Sequence, residues 1–126
     1  MKYMLLMNNM TLGTTYAGVS GWQQADVEAH TAYLKNLSQS LRDSGELVST
    51  EGLALPQEAK LVRAGKGGAP VTDGAFPEAK EFLAGYWIVD VRNAERAYAI
   101  AAQASMAPGP GGTPIHMPIE VRRVTS

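Results

Sequence analysis

The chain has 126 residues, 45% of them apolar, which suits one domain spanning 1–126 with a sizeable core and excludes disorder of the whole chain. With 11 basic and 12 acidic residues the net charge is −1, so there is no electrostatic footprint for nucleic acid or an anionic membrane. The absence of cysteine removes disulfides, thiol catalysis and cysteine-ligated metals.

The first apolar run, Tyr3 to Met7, is too short for a usual signal core, and no other run approaches a membrane span. A cytoplasmic, soluble protein is the expectation. Tyr3–Met7 reads as a first strand with Tyr3, Leu5 and Met7 on one face and Met4 and Leu6 on the other; both faces are apolar. Residues 8–21 read as a loop. From Gly21 to Ser44 a helix is expected, because Val27, His30, Leu34, Leu37 and Leu41 recur at spacings of three and four. Gly45 suits its termination.

Strand patterning resumes over Glu46–Leu55 and Ala59–Ala64, which together suggest a hairpin arm around Pro56-Gln57-Glu58. Gly65-Lys66-Gly67-Gly68 reads as a tight turn, not a phosphate loop, since no Lys-Ser/Thr pair follows. Ala69–Thr72 is extended, Asp73-Gly74 is a turn signal, and Pro77 suits the start of a helical turn bearing Glu78, Lys80 and Glu81. Gly85 permits a close backbone approach where the strand Tyr86–Val91 begins. A second helix is expected over Asn93–Ser105, with Asn93 as N-cap and Ala94, Ala97, Ala101 and Ala104 as a small-residue stripe. A Pro/Gly loop and a last strand, Pro118–Val124, complete the chain.

This order is close to β-α-β-β-α-β with extra hairpin material: an α+β, ferredoxin-like subunit with an antiparallel sheet and two helices on one face. Strands that are apolar on both faces then call for a second copy over the other face, that is, a homodimer.

The stretch Asp73-Gly74-Ala75-Phe76-Pro77-Glu78-Ala79-Lys80-Glu81 closely resembles the signature of the YCII-related, or DGPF-domain, family. Further resemblance runs through Met1–Leu6, Gly45–Val48 with Glu51-Gly52-Leu53, Gly85-Tyr86-Trp87 with Val89-Asp90-Val91, and Ile119–Arg122. Ala75 stands where the family usually has proline, which leaves the turn less constrained. The resemblance implies a dimeric α/β barrel. The family is largely uncharacterised. A related member is a dehydrochlorinase acting on a small aromatic, the founding branch carries a proposed His–Asp pair in a pocket, and many DGPF genes lie near those of extracytoplasmic-function sigma factors.

Two functional readings follow. In the first, the protein is a small acid–base, lyase-like enzyme. His30, set in the apolar stripe and similar to the helix histidine of the founding branch, would be the base, and Asp73 its orienting partner. Glu78, Lys80 and Glu81 would bind substrate. In the second, the same pocket serves a non-catalytic small-molecule-binding or regulatory module linked to sigma-factor signalling. Plainer roles stand beside these: His30 bonded to a backbone carbonyl, Asp73 holding a turn, the Glu78/Lys80/Glu81 group solvated, and Phe76 and Trp87 in the core or the dimer interface. No cofactor is expected. His30 and His116 alone are too few ligands for a metal.

Overall fold

The structure is a computed structural model that describes residues 1–10, 22–54, 58–72 and 81–125, with backbone only at 9, 10, 81 and 82. Its elements are β1 (Lys2–Met10), α1 (Gln24–Asp43), β2 (Leu47–Gly52), β3 (Val62–Ala64), β4 (Pro70–Thr72), β5 (Glu81–Asp90), α2 (Ala94–Ser105) and β6 (Ile119–Arg123). Four strands form an antiparallel sheet in the order β2-β5-β1-β6, and β3 and β4 form a separate two-stranded sheet. With two helices, this is an α+β arrangement compatible with the ferredoxin-like order expected from the sequence.

Alternation along the strands decides where the core lies. Tyr3, Leu5 and Met7 of β1 and Trp87 and Val89 of β5 are buried in one cluster with residues of both helices. Met4, Leu6, Tyr86 and Ile88, on the opposite face, are only partly buried. The stripe on α1 performs as its spacing predicts: His30, Leu37 and Leu41 are buried. On α2 the alanines Ala97, Ala101 and Ala104 are buried around Ile100, so that helix lies close against the sheet. Asn93 caps α2, its Oδ1 accepting the Arg96 N–H at 2.9 Å. At the end of α1, Gly45 has φ 79°; its N–H donates to Arg42 O, and Glu46 N–H reaches back to Leu41 O at 2.9 Å. Glu46 then receives Arg96 in a two-pronged ion pair, Nε and Nη2 each 2.8 Å from a carboxylate oxygen, which ties the entry to β2 to the first turn of α2.

Two expectations need correction. The segments 46–55 and 59–64 do not form a hairpin with each other. β2 pairs with β5 (Thr50 opposite Trp87), while β3 pairs with β4 (Arg63 opposite Val71) around Gly65–Gly68. The glycine turn wins because Gly67 and Gly68, at φ 74° and 84°, adopt the left-handed conformation that a tight reversal requires. The same backbone recurs after α2. Gly65 N–H donates to Ala69 O and Gly109 N–H to Thr113 O, so two Gly-X-Gly-Gly sequences fold alike.

The second correction concerns strand length. β1 continues through Asn8–Met10, read above as loop, and β5 begins at Glu81, not Tyr86. Polar composition hid the continuation. Asn8 stays in register opposite Leu83 across a bulge that leaves Ala84 as the extra residue, and its side-chain amide donates to Glu120 at 3.3 Å. No helix among the described residues is long and apolar enough to cross a membrane.

Candidate functional site

Helix α1 presents two flanks. One turns to α2 and the loop after it. There His30 is 5% exposed, and its Nδ1 lies 3.0 Å from the Pro108 carbonyl oxygen. A carbonyl only accepts, so Nδ1 carries the proton and donates. Trp22 stands edge-on to the imidazole, ring centroids 5.5 Å apart. Two further bonds join the same parts: Tyr33 Oη–H donates to Gln103 O at 2.7 Å, and Gly111 N–H to Asp26 Oδ1 at 3.3 Å. The imidazole thus joins α1 to the Pro108 loop through Nδ1, a bond to a backbone carbonyl that is compatible with both roles considered for it from sequence.

Of the other residues selected from sequence, Asp73, Glu78 and Lys80 lie outside the described residues, as does Phe76. Glu81 lies at the start of β5, with only its backbone described. A meeting of His30 with Asp73 or Glu81 is therefore not among the described contacts. His116 is exposed and has φ 55°, unusual for a residue with a side chain. Among the described residues no group of three His, Cys, Asp or Glu side chains is placed to hold a metal.

The other flank of α1 borders a cleft of about 590 Å³, within the usual size range of small-molecule sites. Thr31, Leu34, Lys35, Ser38, Gln39 and Arg42 form its helical wall. Thr50, Glu51 and Gly52 of β2, Ala84 to Trp87 of β5, and Met7 of β1 form the sheet side. The space exists because small residues face each other there: Ser38 on the helix, and Gly52, Ala84 and Gly85 on the strands. None of these can fill the gap between α1 and the sheet. Gly85 is fixed by geometry as well, since a Cβ on it would stand 2.9 Å from the Glu51 carbonyl oxygen. The close approach expected at this glycine is thus present, and its partner is the edge strand β2.

Polar groups deep in the cleft are already bonded. Trp87, buried as core, donates its indole N–H to Ser38 Oγ at 3.3 Å. Thr50 Oγ1–H donates to the Tyr86 carbonyl at 2.8 Å. With Met7, Leu34 and Ala84 beside them, these groups make a mainly apolar floor in which the Ser38 hydroxyl accepts one bond and the Thr50 hydroxyl donates one. Charge sits on Lys35, Arg42 and Glu51, all exposed. His30 does not line this space.

Sequence reasoning missed the cleft, although a signal was present. Thr31, Lys35, Ser38 and Arg42 recur at helical spacing beside the apolar stripe, and a serine bordering leucines marks a helix flank that is not filled by core.

No curated protein matches the chain. The family model for the YCII-related domain matches residues 1–109, which include both described helices, all but the last of the described strands, and every described residue lining the cleft. The chain belongs to the YCII-related domain family.

Proposed function

We propose that this protein binds a small molecule in the cleft between α1 and the β2–β5 edge of the sheet. The observation that carries the reading is the combination of a mainly apolar floor with two hydroxyls and a charged rim, in a space of drug-like size. The acid–base alternative assigns His30 as base, Asp73 as its partner and Glu78, Lys80 and Glu81 as substrate ligands. It is the weaker of the two, because His30 does not line the cleft. A regulatory role beside a sigma factor, which the family resemblance implies, fits a binding module. A thermal-shift screen with small phenols and carboxylates tests the reading. Stabilisation that rises with ligand concentration supports it, and turnover of a bound compound would restore the enzymatic alternative.

The same proposal includes a homodimer that closes the sheet into a barrel, supported by the part-exposed apolar row Met4, Leu6, Tyr86 and Ile88. Leu6→Lys places a charge in that row without touching the helix-side core. Light scattering coupled to gel filtration is expected to read twice the 13.4 kDa chain mass for the wild type and a shift toward the single mass for the variant. A wild-type protein of single mass at high concentration contradicts the dimer.

A further inference from the structure

The charges around the cleft point to the chemical class of its ligand. Lys35 and Arg42 lie on the helical wall seven residues apart, hence on one face of α1 and about 10 Å apart along its axis. Neither has a carboxylate within ion-pair distance among the described residues. Nearby acids are engaged elsewhere or stand alone: Asp43 accepts from Gln39 at 2.9 Å, and Glu51 is the one acidic side chain among the described lining residues. Two cations against one carboxylate leave that lining with one net positive charge. Below the rim, Ser38 and Thr50 are occupied by Trp87 and Tyr86, so the floor offers apolar surface and few polar handles.

We infer that the ligand is an amphipathic anion, with an apolar body on the Trp87–Leu34–Met7 floor and an anionic group drawn to Lys35 and Arg42. The inference rests on the cleft being the binding site and adds the charge of the ligand. Neutral polar ligands find no match for the excess positive charge. Cations meet repulsion from two side chains and attraction from one. An apolar body displaces water from the Trp87, Leu34 and Met7 surface of the floor.

Matched pairs of probes test this: 3-phenylpropanoate, 4-hydroxybenzoate and octanoate, each against its primary amide. Binding is followed by the amide resonances of Ser38, Thr50 and Glu51 and the Trp87 indole N–H. The carboxylates are expected to bind about tenfold or more tightly than the amides at low salt, with the preference shrinking as salt is raised. The double variant Lys35→Gln, Arg42→Gln is expected to remove the preference, bringing each carboxylate to the affinity of its amide, with the folded spectrum retained. Both side chains are exposed, so the substitutions do not open the core. Equal affinity for acid and amide, with shifts in the cleft, overturns the anion and leaves the cleft as the site. Absence of cleft shifts with any of the six probes overturns the binding reading and this inference together.

Discussion

Gly85→Ala is expected to destabilise the fold by about 1–3 kcal/mol, the range for adding a methyl group where no space exists. It should also distort the cleft. The reason is local and severe: the added Cβ would lie 2.9 Å from Glu51 O and 3.5 Å from Gly52 Cα. Both are backbone atoms, so no side chain can rotate out of the way. Relief requires β2 to move off β5, where Gly52 pairs with Gly85 and Thr50 with Trp87. That displacement carries Thr50 and Glu51, one wall of the cleft, with it. Gly52→Ala is the control, since a Cβ there meets nothing within 4 Å and its expected effect is within about 0.5 kcal/mol. Urea unfolding of the two variants checks the contrast. Equal midpoints for both would show that β2 does not depend on the close approach.

The second large effect is a dependence on pH from Glu46. The Arg96 side chain, by its paired hydrogen bonds, holds the Glu46 carboxyl down from 4.5 to about 2; burial opposes this, and Ser44 adds a further hydrogen bond. Arg96 is raised in turn by the same pair. Because the folded pKa lies below the unfolded one, the unfolded chain binds the proton more readily. The stabilisation is complete above about 4.5 and disappears as pH falls through that value toward about 2. The full drop would correspond to about 3 kcal/mol. With side-chain exposures of 32% for Arg96 and 20% for Glu46, solvent screening reduces it to about 1–2 kcal/mol. Glu46→Gln should therefore unfold more easily than wild type at pH 7, and the two should converge near pH 2. A constant gap across that interval would contradict the assignment.

Much of the architecture was legible because it depends on short-range rules. The helical spacing of His30, Leu37 and Leu41, the cap at Asn93 and the turn glycines each act within a few residues, and each does what its chemistry predicts. Strand partners were not legible in the same way. Whether β2 pairs with its sequence neighbour or with β5 is decided by bonds between residues such as Thr50 and Tyr86, thirty-six positions apart. The extent of β1 was obscured for a related reason, since Asn8 has a loop-like character that is overridden by a partner on β6.

The candidate site was the least legible part. His30 is conspicuous as a titratable group in an apolar stripe, and the partner of its Nδ1 is the Pro108 carbonyl, on a loop 78 positions away. Cavities arise where side chains are small, and small residues give a weak sequence signal. Ser38, Ala84 and Gly85 attract no notice singly, and only the packing of α1 over β2 and β5 gathers them around one space. The Asp73–Glu81 stretch is rich in charged residues, whereas the cleft is built from small and apolar ones.

The most direct test of the account is to map ligand contacts by two-dimensional NMR on the intact chain, titrating in a compound found by thermal shift. The account predicts saturable shifts at Ser38, Gln39, Thr50, Glu51 and the Trp87 indole N–H, with His30 and the Pro108 loop little changed. Saturable shifts centred on His30 and the Pro108 loop, leaving the α1–β2 cleft unperturbed, would contradict it.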